Sequence, residues 1–207
     1  MGIIVNVDEC IGCHACFIAC KQENQVSPNI QWNRIRKVEN REKNIINYFR
    51  ASCQHCEDPA CLKVCPMKAV YKGPHGEILI DQDKCIACKA CLAACPYGMP
   101  MFNDRKLTSY YGEKQPLFSP SNPPTKNAQP GKAEHCTLCS HRLAKGKEPA
   151  CVEICPAKAL TLVDFDAPTK KQKKLLSKAV QLKAGVDTKP KVRYICSNMD
   201  FREVALK

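Results

Sequence analysis

The sequence predicts an α+β protein built from two tandem units, and three observations lead to this prediction. The 207 residues include 17 cysteines, most of them in short C-x-x-C runs. The spacing of these runs repeats in alternation along the chain, which indicates duplicated structural units. Apolar, β-branched stretches at residues 3–7 and 78–80 precede two of the runs and predict short strands there.

The apolar side chains are too few to stabilise a fold of this length by themselves. Hydrophobic residues make up 44% of the sequence, but this fraction includes the 17 cysteines, and there are only one Trp, six Tyr and six Phe. Proteins with small cores usually need disulfides or bound metal. Because the cysteine number is odd and C-x-x-C spacing is typical of metal ligation, we favour bound metal.

Sixteen of the cysteines form four sets of four. Set one has the pattern C-x2-C-x2-C-x3-C, and set three has the same pattern followed by proline. Set two reads C-x2-C-x4-C-x3-C-P, and in set four eleven residues separate the middle two cysteines. In chain order, the sets are Cys10, Cys13, Cys16 and Cys20; Cys53, Cys56, Cys61 and Cys65; Cys85, Cys88, Cys91 and Cys95; and Cys136, Cys139, Cys151 and Cys155.

The sets are also repeated in their neighbouring residues. Sets one and three both read C-I-x-C-x-A-C after an apolar stretch. Sets two and four share a different tail, ACLKVCPMKAV at residues 60–70 and ACVEICPAKAL at residues 150–160. We expect a short strand before sets one and three, and a single helical turn after the last cysteine of each set. Residues 21–52 are expected to be a connector.

Four thiolates per site suit either an iron–sulfur cluster or zinc. Structural zinc sites usually have two C-x-x-C pairs separated by a longer loop. Set three instead places three cysteines within seven residues and ends in C-P, the run found in bacterial ferredoxins. We therefore interpret the sets as ligands of four [4Fe–4S] clusters in ferredoxin-like units. A zinc-stabilised basic interaction protein is the alternative.

The gaps between the sets indicate which of them share a unit. In two-cluster ferredoxins, the last cysteine of each set ligates the other cluster. Nineteen residues lie between sets two and three, against 32 between sets one and two and 40 between sets three and four. The short gap favours one unit of sets two and three, which leaves set one to pair with set four.

This pairing predicts two ferredoxin-like units of two [4Fe–4S] clusters each, with loop insertions and a C-terminal helix–strand extension. The predicted bounds are 1–48 plus 130–165 for the first unit and 49–105 for the second, with a proline-rich loop at 106–129 and the extension at 166–207.

Four individual residues and the extension have predicted roles of their own. The extension should contain a helix over residues 167–184, capped by Asp166 and stopped at Gly185, and a strand at 191–196. We expect His14 and His55 to donate hydrogen bonds beside the clusters. Cys196, outside the sets, is expected to be a buried structural thiol, and Trp32 to lie in the core or an interface.

The formal net charge of +12 suggests nucleic acid or an anionic membrane as a partner. Each oxidised cluster with its four thiolates carries about −2, which brings the holoprotein to about +4. We therefore expect no nucleic-acid partner. The first eight residues lack the features of a secretory signal, and no apolar run is long enough to span a membrane. A cytoplasmic or membrane-associated location is expected, with export only together with a partner.

The motifs as a set resemble the four-cluster electron-transfer subunits of the molybdopterin oxidoreductase superfamily. The likeness is greatest to the iron–sulfur subunits of dimethyl sulfoxide, polysulfide, thiosulfate and arsenate reductases. It rests on C-I-G-C-H-A-C at 10–16, A-C-K-Q-E-N at 19–24, C-x-H-C at 53–56, A-C-P-Y-G at 94–98, C-T-L-C-S-H-R at 136–142 and P-A-C-V-E-I-C-P at 149–156.

The resemblance implies a nested ligand pattern, in which each set lends its last cysteine to another cluster. All sixteen ligands are present, so four [4Fe–4S] clusters are expected. The implied ligand groups are Cys10, Cys13, Cys16 and Cys155; Cys53, Cys56, Cys61 and Cys95; Cys85, Cys88, Cys91 and Cys65; and Cys136, Cys139, Cys151 and Cys20.

The resemblance also implies the partners. A large catalytic subunit would hold a molybdenum or tungsten pterin cofactor, and often a membrane subunit exchanges electrons with quinone. This protein would be a non-catalytic subunit that relays electrons between them, with the unit of sets one and four facing the catalytic subunit and residues 103–135 as a candidate docking surface. A polyferredoxin-type subunit of a formate- or hydrogen-metabolising complex is an alternative, although the C-terminal extension favours a docked subunit.

Overall fold

The computed structural model describes residues 1–104, 131–182 and 187–206. Its secondary structure is mixed and consists of short elements, as predicted. The described strands are β1 (Gly2–Asn6), β2 (Asn33–Asn40), β3 (Ile45–Ser52), β4 (Val70–Lys72), β5 (Ile78–Ile80), β6 (Met101–Phe102), β7 (Ala133–Glu134), β8 (Leu160–Val163) and β9 (Val192–Ile195). The described helices are α1 (Ala15–Asn24), α2 (Ala60–Lys63), α3 (Ala90–Ala94), α4 (Ser140–Leu143), α5 (Ala150–Glu153) and α6 (Lys170–Leu176).

A three-stranded sheet joins the first and last parts of the chain. Strand β1 lies in the middle, antiparallel to β8 and parallel to β9. Ile4 of β1 is paired with Thr161 on one side and Arg193 on the other. Because β1 leads into set one and β8 follows set four, this sheet brings two distant cysteine sets to the same part of the molecule.

A long hairpin of β2 and β3 occupies the segment between sets one and two. The two strands pair antiparallel from Asn33 and Ser52 to Asn40 and Ile45. The sequence predicts only a connector over residues 21–52, so this hairpin is a new element. Arg50 and Ser52, at the inner end of β3, are fully buried among the cysteines.

Two smaller hairpins enclose sets two and three. Strands β4 and β5 pair antiparallel, and Val70, Ile78 and Ile80 pack with Cys91 in a small apolar cluster. Strands β6 and β7 also pair antiparallel. Strand β7 lies inside the segment 103–135, where the sequence predicts a docking loop. Residues 105–130, which include the predicted proline-rich loop at 106–129, lie outside the described residues.

The C-terminal segment adds β9 to the sheet and contributes an aromatic group to the main core. Phe201 packs edge-on against Phe49, with ring centroids 4.8 Å apart, and stacks on Tyr194 at 5.1 Å. All three side chains are buried. This group attaches the C-terminal segment to the hairpin strand β3.

Two helix predictions need correction. A helical turn follows the last cysteine in set one, where α1 contains Cys16 and Cys20 and continues to Asn24. In the other three sets, α2, α3 and α5 end before the last cysteine. The third and fourth cysteines of a set are four residues apart, which is itself a helical spacing.

The predicted helix at 167–184 is also shorter than expected. Helix α6 spans Lys170–Leu176, and Thr169 caps it in a capping box with Gln172, in place of Asp166. The predicted stop at Gly185 lies outside the described residues.

Candidate iron–sulfur sites

The backbone of the cysteine loops is duplicated. In sets one and three, Gly12 and Ala87 have φ values of 68° and 63°, and His14 and Lys89 have values of 63° and 62°. Equivalent positions in two loops thus have the same left-handed conformation, although three of these four residues are not glycine. Left-handed residues in a turn curve the backbone into a concave loop that directs its N–H groups inward.

Backbone N–H groups of the other loops point at cysteine sulfur atoms. Ala69 N–H donates to Cys65 Sγ at 3.2 Å, Leu138 N–H to Cys136 Sγ at 3.4 Å, and His55 N–H to Cys53 Sγ at 3.5 Å. Hydrogen bonds of this kind stabilise thiolates and tune the reduction potential of a cluster. These loops are therefore suited to hold anionic sulfur ligands.

The first group of thiols combines three cysteines of set one with the last cysteine of set four. Burial raises the pKa of Cys10, and the nearby thiols of Cys155 and Cys13 raise it further. Burial raises the pKa of Cys16 to about 12, with contributions from Cys10 and Cys155. The structure thus brings together Cys10, Cys13, Cys16 and Cys155.

The second group combines three cysteines of set four with the last cysteine of set one. Burial and the thiols of Cys136, Cys139 and Cys151 raise the pKa of Cys20 well above its usual range. One cavity is lined by all four side chains. Asn24 reaches into this group, and its Nδ2 lies 3.7 Å from Cys20 Sγ and 3.8 Å from Cys139 Sγ.

The third group combines three cysteines of set two with the last cysteine of set three. Burial raises the pKa of Cys53 strongly, and Cys61 and Cys56 contribute to the effect. Burial raises the pKa of Cys61 to about 12, with Cys95 as the strongest neighbour. The members of this group are Cys53, Cys56, Cys61 and Cys95.

The fourth group combines three cysteines of set three with the last cysteine of set two. Burial raises the pKa of Cys91 to about 11, and the thiols of Cys85, Cys65 and Cys88 add to this shift. A cavity that is partly open to solvent is lined by all four side chains. Burial favours the protonated thiol at Cys91, as it does at Cys16, Cys20 and Cys61, and a bound metal would hold these side chains as thiolates.

The four groups are neighbours in a row. The thiols of Cys16 and Cys151 are close enough to interact, which connects the first and second groups. Those of Cys53 and Cys136 connect the second and third groups. Cys61 and Cys91 connect the third group to the fourth.

The two ends of this row are the parts nearest the surface. Cys13 in the first group and Cys88 in the fourth are the exposed cysteines, whereas every member of the second group is buried. Exposed apolar side chains lie next to ligands at both ends: Ile11 and Ile154 beside the first group, and Val64, Met67 and Ile86 beside the fourth.

The structure revises the role predicted for the two histidines. His55 is fully buried, but its ring Nδ1 accepts a hydrogen bond from Ile78 N–H, and its backbone rather than its ring donates to sulfur. His14 is exposed and packs edge-on against Phe17.

The other two residues outside the sets also have defined surroundings. Trp32 lies in the core, where its Nε1 donates to Glu134 Oε2 at 2.8 Å. Cys196 is only half-buried and donates to Asn198 Oδ1, so the prediction of a buried thiol is not met.

Sequence reasoning missed Arg50, a fully buried cation among the sites. Its Nη1 donates to Ser52 Oγ at 2.7 Å and its Nη2 to Cys136 Sγ at 3.6 Å. Nothing in the sequence around N-Y-F-R-A-S marks this arginine as buried, because arginine in a strand normally faces solvent.

Among the described residues, no three His, Cys, Asp or Glu side chains converge closely enough to hold a single metal ion. Within residues 1–104, 131–182 and 187–206, no helix has both the length and the apolar character needed to span a bilayer.

The duplicated loops and the groups of four thiols define an iron–sulfur protein with several cluster sites. A 4Fe-4S dicluster domain matches residues 45–110 and 116–165, and a second 4Fe-4S dicluster domain matches residues 9–69. The protein therefore belongs to the 4Fe-4S dicluster family. Together with its four cysteine sets, this membership confirms the prediction of four [4Fe–4S] clusters and favours it over zinc.

Several curated proteins are similar along almost the whole length of this one. The sequence is 36% identical to the arsenate respiratory reductase iron–sulfur subunit of Shewanella sp. (strain ANA-3), over 95% of this protein and 96% of the relative. It is 36% identical to the B subunit of polysulfide reductase from Wolinella succinogenes, over 92% and 91% of the two proteins. It is 33% identical to the B subunit of anaerobic dimethyl sulfoxide reductase from Escherichia coli (strain K12), over 92% and 86%. The predicted resemblance to reductase subunits of this kind is confirmed.

Proposed function

We propose that this protein is the electron-transfer subunit of a reductase complex and that its four clusters form one path across the molecule. The observation that carries the proposal is the row of four thiol groups, in which the second group is buried and each end group includes an exposed cysteine. A carrier that accepts electrons at one surface and delivers them at another needs this arrangement. The names of the relatives, which are subunits of reductases, support the same role.

We propose the nested ligand pattern for these clusters, since each of the four groups contains the cysteines that the pattern assigns to it. The first and second groups form one ferredoxin-like unit, at residues 1–48 and 130–165. The third and fourth groups form the other, at residues 49–105. The three-stranded sheet of β8, β1 and β9 supports the first unit, because it places sets one and four side by side.

The protein's own residues perform three tasks on this path. Each bound cluster supplies a centre that changes oxidation state by one electron. The left-handed loops hold the thiols around their cavities, and backbone N–H groups donate to the sulfur atoms of Cys53, Cys65 and Cys136. Burial of the second group excludes water from the middle of the path, which limits the reorganisation that accompanies each transfer.

We propose two docking faces, one at each end of the row. The first group, with Ile11 and Ile154 exposed beside it, would face a large catalytic subunit that holds a molybdenum or tungsten pterin cofactor. The fourth group, with Val64, Met67 and Ile86 beside it, would face a membrane quinone-reactive subunit or another redox partner. Exposed apolar side chains around a redox centre are suited to such contacts. The protein itself would be non-catalytic and would relay electrons between these two partners.

The test is electron transfer through the purified complex. The protein, isolated anaerobically from its native host, should carry with it a large subunit that contains pterin and molybdenum or tungsten. Cys13→Ser and Cys88→Ser, at opposite ends of the row, should each block transfer from the electron donor to the catalytic subunit. Cys196→Ser, outside all four groups, is the matched control and should transfer electrons normally.

Two results would contradict the proposal. Undiminished electron transfer in the assembled Cys88→Ser complex would mean that the fourth group is not on the path. Co-purification with a formate- or hydrogen-metabolising subunit free of molybdenum and tungsten pterin would favour the polyferredoxin-type alternative.

A further inference from the structure

A buried arginine lies between the first and second thiol groups. Arg50 comes from the inner end of β3, and only 1% of its surface is exposed. Its Nη1 donates to Ser52 Oγ at 2.7 Å, which fixes the orientation of the guanidinium. Its Nη2 donates to Cys136 Sγ at 3.6 Å. The side chain is thus attached at one edge to its own strand and at the other to a cluster ligand.

Arg50 lies beside cysteines of both groups. It lines one cavity together with Cys20, Cys136, Cys139 and Cys151 of the second group, and its charge interacts with Cys16 of the first. Burial opposes this charge, but the thiols of Cys151, Cys136, Cys16 and Cys20 outweigh the effect and raise the pKa of Arg50 above its usual value. Three of these cysteines belong to the second group, and Cys16 belongs to the first.

No carboxylate balances this cation in the part of the chain that the structure describes. None of the ion pairs among residues 1–104, 131–182 and 187–206 includes Arg50, and its Nε is buried without a hydrogen-bond acceptor. A guanidinium does not lose its proton in a protein, so a fully buried one needs anionic neighbours. The cysteine sulfur atoms are the only such neighbours that the described structure provides.

We infer that Arg50 is a counter-ion shared by the first and second groups, placed to raise the reduction potentials of both clusters. The inference rests on the ligand groups proposed above. Its physical basis is that a reduced cluster carries one more negative charge than an oxidised one. A fixed cation in a poorly polarisable interior therefore favours the reduced form, and the hydrogen bond to Cys136 acts in the same direction.

Exposed cations near the clusters do not have the same effect. Lys68 and Lys158 occupy equivalent left-handed positions after sets two and four, but both are exposed to solvent. Water and salt screen such charges within about 10 Å at ordinary ionic strength. Arg50 is distinguished from them by burial rather than by proximity alone.

The test uses three variants of the holoprotein. Arg50→Gln removes the charge but keeps an N–H donor, and Arg50→Lys keeps the charge but loses the fork geometry. Arg193→Gln is the matched control, because Arg193 is half-buried on β9 and packs over Phe165, away from the thiols. The four potentials are measured by redox titration with paramagnetic resonance. The signals are assigned with one serine variant per group, Cys13→Ser, Cys139→Ser, Cys56→Ser and Cys88→Ser.

Arg50→Gln should lower the reduction potentials of two clusters. The ratio of oxidised to reduced cluster at a given potential should rise at least tenfold, which corresponds to about 59 mV or more. The affected clusters should be those of the first and second groups, and Arg50→Lys should shift them less. Arg193→Gln should leave all four potentials in place. Unchanged potentials in Arg50→Gln with full iron content, or equal shifts in all four clusters, would overturn the inference.

If Arg50→Gln does not bind its full complement of iron, the iron content of each group provides the test. The loss should then be confined to the first and second groups, and Arg50→Lys should restore it. Loss of the third- and fourth-group signals, or no restoration by lysine, would mean that Arg50 matters for shape rather than charge, and would overturn the inference. An error in the proposed ligand groups would give a different result. Cys13→Ser would then remove the paramagnetic signal of a cluster whose reduction potential Arg50→Gln does not change.

Discussion

Replacement of Gly12 by alanine should selectively weaken the first cluster site. Gly12 lies between Cys10 and Cys13 with φ of +68°, and an added Cβ would lie 2.7 Å from Tyr48 Cγ on the hairpin. The left-handed conformation costs about 1–2 kcal/mol for an alanine. Overpacking against the Tyr48 ring adds about 1–3 kcal/mol. The total for Gly12→Ala is therefore about 2–5 kcal/mol, and the strain falls on the loop that presents the first thiols.

Gly146→Ala is a closely matched control for this change. Gly146 has φ of +67°, but an added Cβ there has no atom within 4 Å. Gly146→Ala should lower the free energy of unfolding only by the cost of the left-handed conformation, about 1–2 kcal/mol. The difference of about 1–3 kcal/mol corresponds to a thermal midpoint roughly 2–12 °C lower for Gly12→Ala in a protein of this size.

The assay follows the visible absorbance of the clusters during heating, together with the iron content before it. Gly12→Ala should lose first-group iron preferentially, and Tyr48→Ala in the same protein should remove most of the difference from Gly146→Ala, since it removes the clashing ring. Equal midpoints and iron contents for the two glycine variants would refute the reasoning. So would a deficit that Tyr48→Ala does not relieve.

Two further predictions concern the ligands and the fold. Cys155→Ser should perturb the cluster held by Cys10, Cys13 and Cys16 and leave the fourth group intact, whereas altered signals from the fourth group would contradict the nested pattern; paramagnetic resonance distinguishes these results. Removal of iron by a chelator should unfold the protein cooperatively, because the buried thiols protonate and the apolar core is small. Hydrogen exchange measures this loss, and an apoprotein with native protection would count against it.

The cluster sites were predictable from sequence because their ligands occur in short, contiguous patterns. The spacing of Cys85, Cys88 and Cys91 requires one tight loop, so these ligands can be recognised without knowledge of the rest of the fold. The shared unit of sets one and four was suggested by elimination from gap lengths. The structure gives a physical reason for it in β1, which pairs with the strand that follows set four.

The hairpin of β2 and β3 was missed because its strands lack a clean alternation of apolar and polar residues. At the inner end of β3, four consecutive residues are buried, and two of them, Arg50 and Ser52, are polar because they face cysteines. A pattern rule that expects apolar residues on the buried face fails wherever that face meets a charged cofactor. The Thr169 cap of α6, in contrast, could have been predicted from its T-x-x-Q signature, although the prediction placed the cap at Asp166.

The proposed ligand groups also explain how so small an apolar core can hold this protein together. The first group joins Cys10 to Cys155, and the second joins Cys20 to Cys136, so each cluster closes a loop of more than about a hundred residues. Cross-links that close long loops remove the most entropy from the unfolded state. Strand β1, between β8 and β9, draws the same segments together, and the aromatic group of Phe49, Tyr194 and Phe201 anchors the C-terminal end. The first and second clusters would therefore be structural as well as electron-carrying, and substitutions that break the pairing of β8 or β9 with β1 should lower their occupancy before that of the third and fourth.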